Sequence, residues 1–513
     1  MEKGLKSPAW LWEYAKRHCK PIWKTSFLTA VILGLLIHMP MLVRDIPNHD
    51  GLDSMYFDQN MITSGRWFLT VACGISSYFN LPWVIGILGL FYLGITSVLL
   101  TEFLEIENRG TAVLIGGMLT AFPALAATFA YVFTLDGYML ALLLAVSAPL
   151  LVKKYKRGFL AGGVALAFSM GIYQSYLSFT MLLSLYGVLM LLLTRETVGE
   201  KLKGICNYLF MGVIGVGLYY VLLQVLLKIQ GKELASYQGI NGMGTAGGGF
   251  PASIKEIYGD FLSFSIRSGI LFKNIFSLLA LGLLCGLTFV LLIRLIIKEK
   301  KYTDIRLYVI ILLFTAAVPI ASNVILLISP EVNYHLLMRY QWVLCPILLT
   351  ALADKYGKES LSRWLLLFTG GVLILHYALT DNIAYFNLEK KYEKTYAYCL
   401  RLADRMEQTE GYYPGIPVAL IGVVSETQYP ITDITEDVTG SITGMTGDYL
   451  LYTRTNYQAF FKHYLGITIN LVSDEEMLEI YDSEEYRGMG TFPQQDSLKV
   501  VDGILYIKLE DKE

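Results

Sequence analysis

Charge is scarce in this 513-residue chain: Asp, Glu, Lys and Arg make up only 16% of it, against about 25% in an ordinary soluble domain. The signs nearly balance, with 41 basic and 43 acidic side chains and a formal charge of −2. That excludes a basic nucleic-acid binder, and the apolar content excludes a disordered chain. Cysteine is sparse too. Cys19, Cys73, Cys206, Cys285, Cys345 and Cys399 stand singly, with no CxxC spacing for zinc, haem or redox chemistry and too few for a disulfide scaffold. They read as small apolar residues in helices. HExxH, GxSxG and a Rossmann fingerprint are missing in any fitting context. The glycine-rich GINGMGTAGGGF has no Lys-Ser/Thr and no strand-to-helix setting, so it is no nucleotide loop; it reads as a mobile substrate loop.

What the chain has is hydrophobicity, 54% of residues with a mean hydropathy of +0.50. Eleven apolar runs qualify as membrane helices: roughly 25–43, 81–104, 111–131, 136–152, 158–175, 177–193, 204–228, 270–296, 307–328, 342–354 and 364–380. The tenth is short for a full span. The first ends LIHMPMLVRDIP without a small-residue cleavage site, so it reads as a retained helix rather than a signal peptide. Lysine and arginine alternate between the loops. Lys3, Lys6, Lys16, Arg17, Lys20 and Lys24 precede the first helix, and Lys153, Lys154, Lys156 and Arg157 fill a later loop on the same side. The positive-inside rule therefore puts the N-terminus in the cytoplasm and the C-terminus outside. From Asp381 onward, charges and turns mix with a helical stretch and three β-type runs, PVALIG, GITINLV and ILYIKL. The expectation is a polytopic all-α membrane domain over 1–380, with outer loops at 44–80 and 229–269, followed by a small extracytoplasmic α/β domain over 381–513.

Chemistry gathers on the predicted outer face. The first outer loop, RDIPNHDGLDSMYFDQNMITSGRWF, brings Asp45, Asp50, Asp53 and Asp58 together with His49, Arg44 and Arg66. A carboxylate there can act as a general base; equally, aspartates start turns in solvated loops, and the two readings balance. Asp136 opens the fourth run in YVFTLDGYMLAL, either as a helix N-cap or as a polar group facing a cavity. In GIYQSYLSF, interfacial enrichment accounts for Tyr173 and Tyr176, whereas Gln174 is less easily explained that way. In NYHLLMRYQW, Arg339 lies at the outer start of a helix beside Tyr334 and His335. A guanidinium suits a phosphate, and an idle arginine on the outer side runs against the positive-inside pattern, although a snorkelling one would look the same.

These motifs recur in a familiar order: the acidic loop ending in GRW, FTLD, the YQ hairpin, the Arg-bearing outer loop, then a tail opening with a long helix and PVALIG. The chain resembles the GtrII-like family of membrane glucosyltransferases, which decorate O-antigen and other surface polysaccharides. The resemblance implies a GT-C type fold in the bacterial plasma membrane. It also implies an outward-facing site and a polyprenyl-phosphate-sugar donor such as undecaprenyl-phosphate glucose, used alongside a donor synthase and a donor flippase. The acceptor would be a surface polysaccharide, teichoic acid or glycolipid.

An essential carboxylate in the first outer loop falls by that resemblance on Asp50, with Asp53 as its rival. A phosphate leaving group favours positive charge near it, from Arg339 first and Arg66 second. Asp136, Tyr173, Gln174, His49 and His335 would orient sugar or acceptor, and attack from the opposite face predicts inversion. No cofactor is required, though converging acidic groups leave room for a divalent cation. The competing reading is a transporter or flippase of lipid-linked saccharides; against it, charge gathers at one face and no internal repeat is visible. A surface scaffold presenting the tail ranks last, because eleven helices exceed what an anchor needs.

Overall fold

The computed structural model describes residues 7–53, 55, 58–74, 79–194, 197–236, 249–271, 274–299, 303–329, 331–423, 439–442, 444–445 and 450–510. Its helices run in chain order as α1 Pro8–His18, α2 Pro21–Val43, α3 His49–Asp53, α4 Leu69–Gly74, α5 Pro82–Phe103, α6 Arg109–Ala121, α7 Pro123–Ala130, α8 Val132–Lys154 and α9 Gly158–Ile172. There follow α10 Leu177–Leu192, α11 Val198–Gln230, α12 Gly249–Arg267, α13 Ile275–Lys298, α14 Ile305–Ser322, α15 Ile325–Ile328, α16 Leu344–Tyr356 and α17 Ser360–Gln408.

Among the described residues, nine helices are long and apolar enough to cross a membrane, and the bent pair α6–α7 would make a tenth. The protein is thus a polytopic membrane protein. Every one of the eleven apolar runs has a helix in it; the fifth, α9, is shorter than a full span at 15 residues. The third run breaks because Pro123 has no amide hydrogen and disfavours a helical residue before it. Phe122 is accordingly extended (φ −70°, ψ 130°), and the two halves meet at 44°. The short tenth run gains a preceding 3₁₀ segment, Leu336–Val343, giving a 21-residue element over Leu336–Tyr356.

Burial ranks the helices. In α8, 72% of the apolar window is buried, against 22% in α11 and 17% in α14, so α8 is central while α11 and α14 turn their leucines and valines outward. Helix α8 packs on α5 and on α9. The α8–α9 contact relies on small residues: a Cβ at Gly162 would stand 2.7 Å from the Ala148 carbonyl oxygen. Close backbone approach of this kind is what holds helices together where both sides are apolar.

Helix α17 has 49 residues, about 74 Å at 1.5 Å per residue. That exceeds a hydrocarbon layer of about 30 Å, so the helix leaves the bilayer. The boundary expected at 380/381 falls within this one continuous rod. Its far half carries Tyr398, Leu402 and Met406, which pack with Val418, Leu420, Leu505 and Ile507 in the core of the α/β unit. The sheet there is ordered β2-β1-β4-β3, from β1 Pro417–Ile421, β2 Asn470–Leu471, β3 Leu498–Val501 and β4 Ile504–Lys508. β1 lies parallel to β2 and β4, and β3 antiparallel to β4. All three β-type runs of the tail contribute strand residues.

Candidate active site

The acidic loop starts where α2 ends. Arg44 pairs with Glu389 of α17. Asp45 accepts from Asn80 Nδ2 at 3.3 Å and from the Tyr464 hydroxyl at 3.3 Å. Asn48 then works in two directions: its amide donates to the Ala130 carbonyl of α7 at 2.9 Å, and its Oδ1 accepts from the Gly51 amide at 2.7 Å. The second bond satisfies a free amide at the start of α3; the first fixes that short helix to α7. Three sequence-predicted residues therefore share one anchored turn: His49, Asp50 and Asp53.

The three differ in how they are held. Asp53 Oδ2 accepts from Asn456 Nδ2 at 3.0 Å, and the same amide reaches the His49 carbonyl at 3.2 Å. Partial burial raises the Asp53 carboxyl above the ordinary aspartate value; the Asn456 bond opposes this and the charge of Asp50 adds to it. Burial likewise raises Asp45, against the Tyr464 bond and nearby His463. Among the described residues Asp50 makes no hydrogen bond; His49 Nε2 lies 3.7 Å from its Oδ2. The His49 ring meets Tyr452 edge-on at 5.0 Å, and its Nδ1 is buried without a partner among the described residues. The α/β unit thus touches the acidic turn through Tyr452, Asn456 and Tyr464. Nothing in the sequence singled them out: Asn456 sits in TRTNYQAF, an ordinary helix start.

The second half of the loop is clamped from below. Gly65 takes φ 79°, a left-handed turn open to glycine. Gln174 Nε2 donates to the Ser64 carbonyl at 2.9 Å and to the Tyr219 hydroxyl at 3.1 Å, and Tyr219 donates to the Gly65 carbonyl at 3.1 Å. The Phe68 amide bonds the Gly171 carbonyl at 2.7 Å. Gln174 is therefore a tie between α9–α10 and the loop. Arg66 emerges beside it, Nη1 donating to the Tyr138 hydroxyl at 3.2 Å with its guanidinium 5.2 Å from the Tyr173 ring. Tyr138 and Tyr173 stack at 4.2 Å.

Asp136 does not cap a helix. α8 begins four residues earlier, with Tyr131 as its N-cap, because the apolar run continues back through Val132 and Leu135. Asp136 is 1% exposed, its Oδ1 accepting from the Gly137 amide at 2.9 Å.

Arg339 lies in the 3₁₀ segment at a kink (φ −109°, ψ 22°), and His335 is the N-cap of that segment. Its guanidinium makes two parallel bonds of 2.7 Å to Asp260 on α12 and a third of 2.9 Å from Nε to the Tyr334 carbonyl. Tyr334 and Phe264 cover the cation, their centroids 3.7 and 4.6 Å away. The 3₁₀ segment packs against α7 and against the Gln174–Tyr176 turn, the two supports of the acidic loop. Neither Asp50 nor Asp53 bonds directly to Arg66 or Arg339. Among the described residues no three His, Cys, Asp or Glu side chains converge as a metal site requires.

A family model described as Glucosyl transferase GtrII matches residues 39–345, a stretch that contains the acidic loop, the Gln174 turn, Arg66 and Arg339 but not the α/β unit. No curated protein matches the chain, and no solved structure does.

Proposed function

The chain belongs to the GtrII glucosyl transferase family, and from that premise we propose that this membrane glucosyltransferase moves glucose from a polyprenyl-phosphate carrier to a surface glycan or glycolipid on the outer side of the bilayer, with a GT-C type arrangement. The observation that carries the proposal is the anchored acidic turn: two carboxylates three residues apart, placed at the end of the first span and braced by α7 and by the α/β unit. Residues i and i+3 share one helical face.

Asp50 is the base. A proton acceptor needs a free lone pair within reach of the acceptor hydroxyl. Among the described residues no hydrogen bond reaches either oxygen of Asp50, whereas Asp53 spends one on Asn456. The acceptor oxygen attacks the anomeric carbon as Asp50 takes its proton. The bond from that carbon to the phosphate oxygen breaks, and polyprenyl phosphate departs with the electron pair. Attack opposite the leaving group inverts the centre. The phosphate needs no proton to leave, only positive charge near it, which Arg66 and Arg339 supply. His49, whose Nδ1 has no partner among the described residues, and the Tyr138–Tyr173 stack serve to orient sugar and acceptor, with Asp136, Gln174 and His335 behind them.

Sugar transfer from polyprenyl-phosphate glucose, assayed in membranes carrying Asp50→Asn, tests this. Loss of a positioned general base costs about 10²–10⁴-fold. Near-normal transfer at unchanged expression would remove Asp50 from the role.

A further inference from the structure

Arg339 is the least exposed arginine of the candidate site, and it is already holding an anion. Asp260 occupies it with the fork-to-fork geometry that a phosphate takes on a guanidinium. The two partners are not equally fixed. The Arg339 side chain is 8% exposed and Asp260 26%. Arg339 is pinned by the Tyr334 carbonyl and two rings, while Asp260 rides on α12. That helix is lightly seated: in the part whose side chains are described, only Ser253 and Ile257 are buried.

A second observation is an unused donor in the aromatic cluster that covers the pair. Trp342, three residues after Arg339, is 6% exposed, and its indole N–H has no partner among the described residues. Its ring lies on Phe261 at 4.8 Å and near Phe264 at 4.9 Å, the two phenylalanines that flank the Asp260 turn. Asn323 Nδ2 already donates to Asp260 Oδ2 at 2.9 Å. The anion seat therefore has an arginine fork and a side-chain amide, and Phe264, which covers the guanidinium, also packs on Trp342. The sugar-loaded carrier is a phosphodiester whose two free oxygens match the two of a carboxylate on the guanidinium fork, and the polyprenyl phosphate that departs is a monoester with a third.

We infer that Asp260 is a built-in stand-in for the phosphate of the lipid carrier: carrier binding exchanges Asp260 for phosphate on Arg339 and frees α12 from the 3₁₀ segment. This rests on the transferase reading only for the identity of the carrier. The exchange itself is a property of binding and requires no sugar transfer. Asp260 in this role is a positioning residue. It keeps a desolvated cation neutral until the carrier arrives, since a buried charge without a partner is strongly destabilising.

Hydrogen–deuterium exchange on the full-length protein in neutral detergent tests the exchange directly in the unaltered sequence. Addition of polyprenyl phosphate should speed amide exchange across 249–267 and leave α8 unchanged. Slower or unaltered exchange in α12 overturns the proposal. Asp260→Asn should bind polyprenyl phosphate about tenfold more tightly, because the competing carboxylate is gone; equal or weaker binding by a normally folded Asp260→Asn protein also overturns it. Arg339→Gln should bind polyprenyl phosphate more weakly, with the α12 response abolished, and a persisting response places the phosphate elsewhere and refutes the seat. Inorganic phosphate forms a third arm: if it alone reproduces the full response, the seat is a free-anion site and the lipid assignment falls. Because none of these readouts is turnover, a protein that shows the exchange yet transfers no sugar would count against the transferase reading alone.

Discussion

Asn456 and Asp53 are 403 positions apart in the chain and joined by a 3.0 Å hydrogen bond. The same amide holds the His49 carbonyl, so a single side chain of the α/β unit fixes both ends of the acidic helix. Its Oδ1 is also engaged, accepting from the Tyr452 and Thr453 amides at 3.0 and 3.2 Å. Asn456→Ala is expected to cost about 2 kcal/mol in the docking of the α/β unit, at roughly 1 kcal/mol for each bond lost across that contact. Limited proteolysis at 44–53 should quicken, and sugar transfer should fall without any loss of expression. Unchanged proteolysis would mean that the contact is incidental.

The aspartates at this junction also set a pH dependence. Burial raises Asp53 and Asp45 in the folded protein. A carboxyl whose folded value exceeds its unfolded value favours the fold fully only below the unfolded value, and that contribution is lost as pH rises through the folded value. These two groups therefore make the junction less stable as pH climbs from the ordinary aspartate range. Both are partly exposed, so the effect is modest. Asp45→Asn should flatten the unfolding midpoint across that window when it is scanned against pH in detergent; a steeper curve would contradict the assignment.

Gln174 and Tyr219 act as one clamp on the loop, the first reaching Ser64 and the second Gly65 while they bond each other. Gln174→Ala and Tyr219→Phe should each lower stability by about 1 kcal/mol. The double variant should lose less than the sum, because groups in one network couple. Thermal unfolding of the four proteins in a double-mutant cycle measures this, and strict additivity would show two independent contacts.

How much of this was legible in the chain depends on the range of the interaction. Apolar runs are local, and each of the eleven holds a helix. The break at Pro123 was equally local, yet a hydropathy window averages over it. Strand residues of the tail stood out for the same local reason. Asp136 was misplaced by a turn because an aspartate in an apolar run looks like a start signal even when the run extends behind it. Asp260 and Asn456 were not singled out at all. Their importance lies in partners 79 and 403 positions away, and a single sequence carries no record of such pairings. Gln174 has no local explanation in the sequence, because its partners are a backbone carbonyl and a hydroxyl 110 and 45 positions away.

Asp381 poses the sharpest energetic question in the membrane domain. It is fully buried in α17, and neither carboxyl oxygen has a partner among the described residues. Tyr340 and Tyr385 stand within electrostatic range. The Tyr385 hydroxyl, however, is taken up with His38 Nδ1 at 2.5 Å, while His38 Nε2 meets the Thr120 carbonyl at 3.0 Å. That second bond requires a hydrogen on Nε2, so Nδ1 of the neutral ring accepts and Tyr385 donates to it. Tyr385 therefore has no hydrogen left to offer Asp381. An unsatisfied buried polar group costs about 1–3 kcal/mol, more if charged. Asp381→Asn, and Asp381→Leu as an apolar control, should accordingly raise the unfolding midpoint of the detergent-solubilised protein. A lower midpoint in both variants would show that Asp381 holds a partner that outweighs its burial.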